Sequence, residues 1–180
     1  MNFTTLVQTT VTQTIALVNG FNWISFNVDI TLDDLKAALL AALPGTNYIM
    51  IQSKNESVTY NGSRWRGQLS TLNVEQMYTV ETRAEGELTL EGLPLDPAEH
   101  PITINAGITW IGFPFAANMS LTDAFAGFAL SGDMVSSKGL NSTYNGTRWR
   151  GTLNTLVPGQ GYIFETTTSR TFVYPTGSSK

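Results

Sequence analysis

The sequence predicts a mainly β protein of the α+β kind: two tandem homologous repeats, each a small β-sandwich or barrel with one short α-helix. Three observations carry this. The octapeptide Tyr60-Asn61-Gly62-Ser63-Arg64-Trp65-Arg66-Gly67 returns as Tyr144-Asn145-Gly146-Thr147-Arg148-Trp149-Arg150-Gly151. Charged residues make up 13% of the chain, and Thr, Ser, Asn and Gly abound, a palette that suits strands and turns better than long surface helices. The hydrophobic fraction of 42% is enough for a packed core.

The elements follow in order. Residues 15–18 and 21–28 are β-rich runs separated by Asn19-Gly20, a pair that favours a hairpin turn. Thr31 stands three residues before Asp34, and Leu32, Leu35, Leu39 and Leu43 then recur at helical spacing until Pro44-Gly45, which predicts a capped helix. Strands resume at 48–53, 58–60, 64–67, 77–82 and 87–90. In the second copy Ser120 and Asp123 repeat the cap, and Leu121, Ala124, Phe125 and Phe128 form a shorter apolar face.

The copies align over most of their length. Trp23, Ile24 and Phe26 fall on Trp110, Ile111 and Phe113; Met50, Ser53 and Lys54 fall on Met134, Ser137 and Lys138. Leu69, Leu72, Tyr78, Glu81 and Thr82 fall on Leu153, Leu156, Tyr162, Glu165 and Thr166, and Leu88 and Leu90 on Phe172 and Tyr174. The offset drops from 87 to 84 after the first block, so the second copy is three residues shorter there. The expected division is an N-terminal segment 1–14 (the tail of a preceding module or an added strand), repeat 1 over 15–91, a proline-stiffened linker 92–101 and repeat 2 over 102–180.

Within the octapeptide, Asn61-Gly62 predicts a two-residue type I′ turn that sets Tyr60 opposite Ser63 and Val58 opposite Trp65. Alternation then places Trp65 and Trp149, with Tyr60 and Tyr144, on the core side, and Arg64, Arg66, Arg148 and Arg150 toward water. The arginines are candidate contacts for acidic sugars or a partner; the plainer reading is solubility, with Glu81 and Glu165 pairing to them across the sheet. Trp23 and Trp110 occupy the more polar face of their strands. They are the candidates for a contact surface, between the copies or with a partner, unless the helix covers them.

Several functions are excluded or disfavoured. A net charge of −4 disfavours nucleic-acid binding, and the absence of cysteine removes disulfides and thiolate metal sites. No apolar run approaches the ~20 residues of a membrane span. The one histidine, His100, stands in the linker without a nucleophile motif beside it, and neither a phosphate-binding glycine loop nor a calcium loop of the EF-hand type occurs. The expectation is no catalytic residue, no metal and no cofactor. Met1-Asn2-Phe3-Thr4-Thr5 has no basic or apolar leader, so either the protein is not exported or its leader has been trimmed; trimming is the expectation, because the opening residues resemble the tail of a module. Six Asn-x-Ser/Thr triplets are read as turn chemistry rather than glycosylation.

The series Gly20-Phe21-Asn22-Trp23-Ile24-Ser25, then Trp149-Arg150-Gly151-Thr152-Leu153-Asn154-Thr155-Leu156-Val157-Pro158-Gly159-Gln160-Gly161-Tyr162, resembles the "GWNWIS … WxGxLxxLxPGxGY" tandem modules in large secreted or surface proteins of gut anaerobic, Bacteroides-type bacteria. The first copy departs from it at Asn73-Val74-Glu75-Gln76-Met77, where the Pro-Gly-x-Gly turn is lost. The resemblance implies a non-catalytic role outside the cell or on its surface. The expected function is an adhesin-like or spacer segment of a larger exported protein; the alternative is a carbohydrate-binding module using exposed aromatics. Partners are expected among glycans or host and surface proteins, with contact between the repeats and none with nucleic acid or the membrane interior.

Overall fold

Alternating burial sets the first strand. Gln13, Ile15 and Leu17 point inward while Val11, Thr12, Thr14 and Ala16 face water. The computed structural model describes residues 9–176. Its first half runs β1 (Val11–Leu17), β2 (Gly20–Ile24), β3 (Val28–Asp29), α1 (Leu32–Ala42), β4 (Ile49–Gln52), β5 (Ser57–Tyr60), β6 (Trp65–Gly67), β7 (Tyr78–Thr82) and β8 (Gly86–Pro94). A short 3₁₀ turn, Pro97–Glu99, leads to β9 (Ile102–Ile104), β10 (Gly107–Ile111), β11 (Met119–Ser120), α2 (Leu121–Ala124), β12 (Met134–Ser136), β13 (Asn141–Tyr144), β14 (Trp149–Gly151), β15 (Thr155–Leu156), β16 (Tyr162–Thr166) and β17 (Arg170–Phe172). The protein is mainly β, its sheets antiparallel.

Each half has a five-stranded sheet of the same order, β2-β7-β4-β5-β6 and β10-β16-β12-β13-β14. In the first half a second sheet, β1-β8-β3, faces it; in the second, β17 pairs with β9 and β11 with β15. Ile15, Leu17, Leu88 and Leu90 meet Ile24, Ile49, Ile51 and Val80 in one core, which Leu32, Leu35 and Leu39 of α1 close. A separate core in the second half is aromatic. Phe125, at the end of the four-residue α2, lies 5.0 Å from the Phe172 ring and 5.3 Å from that of Phe164, filling volume that leucines of a longer helix fill in the first half.

Several expectations change. Asn19-Gly20 does not close a hairpin: β1 pairs with β8 and β2 with β7, so the chain turns there from one sheet to the other. The Asn22 side chain braces that corner, accepting from Val18 N and donating to Val18 O and Val80 O. The run 21–28 likewise breaks after Ile24, and β3 joins the opposite sheet. Residues 11–14 form one strand, β1, with 15–17, so of the two forms expected for the N-terminal segment they take the strand, without a break at residue 15; 1–8 lie outside the described residues. The expected linker begins inside β8, whose Leu93 and Pro94 still pair with Asp29 and Val28.

The octapeptide turn is four residues long, not two. Tyr60 pairs with Trp65 and Tyr144 with Trp149. A type I′ turn needs positive φ at both central residues, yet only the glycines, Gly62 at +90° and Gly146 at +94°, adopt it. Instead the Asn61 carboxamide oxygen accepts from Ser63 N and Arg64 N, and Asn145 does the same with Thr147 N and Arg148 N. The facing of the side chains survives the change of register, because Trp65 still shares a face with Tyr60 and Arg66 lies with Thr59 on the other. No helix of the described residues is long and apolar enough to cross a membrane.

Candidate functional site

β2 and β10 are edge strands, and an open edge offers unpaired backbone groups to any passing strand. Each is covered by the other repeat. Ser25 N donates to Gly159 O (3.1 Å), Gly161 N to Trp23 O (3.0 Å), and Ile24 and Gln160 form an antiparallel bridge. On the other side Gly112 N donates to Glu75 O (2.8 Å). Ser25 aligns with Gly112, and Gly159 with Glu75, so this bond is made twice, while the Gly161–Trp23 bond and the Ile24–Gln160 bridge occur on the β2 side alone among the described residues. The lysines repeat the pattern: Lys138 Nζ donates to Phe21 O and Lys54 Nζ to Ile108 O, each at 2.5 Å. The seam is thus an isologous interface within one chain.

Near the pseudo-twofold axis equivalent residues meet each other. Met77, fully buried, aligns with Gly161, and a Cβ at position 161 would lie 2.5 Å from Met77 Cβ. Two methionines could not both fit there. The loss of the Pro-Gly-x-Gly turn in the first copy is therefore one half of a large-to-small complement.

The loops that cover the edges hang on two tyrosines. Tyr78 Oη accepts from Asn73 N (2.7 Å) and Gln76 Nε2 (2.9 Å), and Tyr162 Oη accepts from Val157 N (2.6 Å). Burial pushes the Tyr162 phenol up to about 12, against the opposing pull of the bond from Val157 N, and raises Tyr78 as well. His100 Nδ1 lies 3.2 Å from Glu75 Oε1, tying the linker to the first of these loops.

Two clefts flank the seam. One, about 340 Å³, lies between Phe21, Trp23, Lys138 and Gln160; the other, about 260 Å³, between Ile108, Trp110, Lys54 and Gln76. Those four pairs are aligned positions, so the clefts are twins. Trp23 and Trp110 therefore stand at the contact between the copies, half-buried and outside both cores rather than packed in the core that α1 closes. Sequence reasoning aligned the lysines without assigning them a role; their presence at one position in both copies was the available signal.

The arginine–tryptophan hairpins lie elsewhere. Trp65 and Trp149 are half-buried and packed against the two cores, each within 5.4 Å of its tyrosine ring. Arg64, Arg66, Arg148 and Arg150 are exposed, and the ion pairs among the described residues do not include them. Glu81 does not pair with Arg66, since Met50 and Thr59 stand between them in the sheet; it accepts from Tyr48 Oη at 2.8 Å. Among the described residues no group of three or more His, Asp or Glu side chains converges as metal ligands would.

Fold and seam together define a mainly β protein of two similarly ordered halves, locked edge to edge. Family models, curated proteins and solved structures offer no match to the chain.

Proposed function

We propose that the chain is a non-catalytic tandem β-module, exported and displayed outside the cell, which serves as an adhesin-like or spacer segment of a larger protein. The reciprocal covering of the β2 and β10 edges carries this reading. Such a seam fixes one half against the other and withdraws both edges from chance pairing, which suits a spacer outside the cell. The resemblance to surface modules points the same way. Residual dipolar couplings test it: a spacer of this kind aligns as one body, with a single tensor for both halves. Two independent tensors would contradict the rigid element.

A second reading, carbohydrate binding, is favoured by Phe21 and Trp23, side by side on the outer face of β2 at the mouth of a cleft. Tryptophan fluorescence titrated against a panel of plant and mucin glycans tests it, and silence across the panel leaves the spacer role alone.

A further inference from the structure

The duplication supplies its own control, because the twin clefts differ at a few aligned positions. Phe21 is replaced by Ile108, Val18 by Asn105 and Leu140 by Glu56. Val18, Phe21 and Leu140 are 47%, 46% and 46% exposed, so the larger cleft has three apolar side chains on its rim where its twin keeps one, Ile108. Phe21 and Trp23 point to one side of β2, while Asn22 and Ile24 point to the other, which sets two rings about 7 Å apart along the strand. Ile108 offers no ring beside Trp110.

Charge separates the clefts as well. Among the described residues the larger is lined by one cation, Lys138, and no carboxylate; the smaller holds both Lys54 and Glu75. Lys138 spends one N–H on Phe21 O and keeps two donors. Thr14, Ser137 and Gln160 add uncharged polar groups to the same walls. In a chain of net charge −4, a cleft whose described lining holds an ammonium and no carboxylate opposes an anion less than its twin, where Glu75 stands in the same lining as Lys54.

From this we infer that the cleft beside Phe21 and Trp23 binds a carboxylate-bearing sugar, and that its twin does not. The apolar faces of two pyranose rings lie on Phe21 and Trp23, the carboxylate meets Lys138, and hydroxyls meet Thr14, Ser137 and Gln160. This rests on the carbohydrate reading above. The carboxylate could belong to a uronic acid of a polysaccharide or to a terminal sialic acid.

Isothermal titration of the full chain with trigalacturonic acid, sialyllactose, lactose and cellotriose tests it. The expected result is one site per chain with an acidic sugar bound about tenfold tighter than the neutral ones, and the arm that binds identifies the source. Phe21→Ala abolishes binding. Lys138→Gln, which keeps a donor for Phe21 O, removes the preference for acid and leaves the melting curve in place; Ile108→Ala and Lys54→Gln change neither. Neutral sugars bound equally well, with Phe21→Ala still abolishing binding, would overturn the acidic specificity and leave the carbohydrate reading standing. No binding by any of the four sugars, or equal losses in the twin variants, would overturn both.

Discussion

Gly67 and Gly151 have no room for a side chain. A Cβ on Gly67 would stand 2.2 Å from Ser57 O, and one on Gly151 equally close to Asn141 O. This is why glycine follows Trp-Arg in both copies, and either Gly67→Ala or Gly151→Ala is expected to cost about 2–4 kcal/mol in urea unfolding. The tyrosines make a second prediction at this scale. Tyr162 titrates at about 12 in the folded protein against 10.0 in a free phenol, and Tyr78 and Tyr174 are displaced in the same direction. A pKa raised by folding leaves stability unaffected below about pH 10 and removes it as pH climbs toward 12. Tyrosinate absorbance should accordingly rise together with loss of the fold in that window, and normal titration of all tyrosines in a folded protein would count against the buried phenols. The octapeptide was legible at this level in its facing but not in its register. Asn-Gly signals a turn, yet the Asn61 carboxamide closes it over four residues, a choice the dipeptide alone does not encode.

The helix α1 shows how far an element can be read. Thr31 Oγ1 accepts from Asp34 N (3.2 Å) while the Asp34 carboxylate accepts from Thr31 N (2.8 Å), the reciprocal cap that the spacing predicts. Thr31→Ala should lower stability by about 1 kcal/mol. The bonds from the Thr31 hydroxyl and backbone hold the Asp34 carboxyl below its ordinary 3.8. Its contribution is therefore present above about pH 4 and fades as pH falls through the lower folded value; Asp34→Asn should flatten that acid limb of the stability curve. Strand pairing was less legible. β2 and β1 look like a hairpin from Asn19-Gly20, but their apolar faces are drawn to two different sheets, and the long-range partners β7 and β8 win. Likewise α2 stops after four residues because Phe125 and Phe128 fill the second core with rings instead of further turns.

At the level of the whole molecule, the alignment of the copies makes them comparable position by position but says nothing of how they meet. The sequence leaves Trp23 and Trp110 open between a contact with the other copy, a contact with a partner and cover by the helix; the reciprocal edges, the lysine pair and the Met77–Gly161 complement join residues far apart in sequence and are legible only in the folded chain. The complement predicts a compensating swap. Gly161→Met alone overpacks the axis and Met77→Gly alone leaves a cavity, each costing about 2–4 kcal/mol, whereas the double variant should recover about 0.5–3 kcal/mol of the summed loss in a double-mutant cycle. Additive losses would place the two residues apart.

The two halves cover each other's strand edges, and hydrogen exchange at three amides reports on that cover. Ser25, Gly112 and Gly161 donate their N–H groups across the seam. They should exchange as slowly as amides inside the five-stranded sheets, and Gly161→Met should release all three together. Exchange of these amides at the rate of exposed loops, in a protein whose sheets remain protected, would contradict the locked seam.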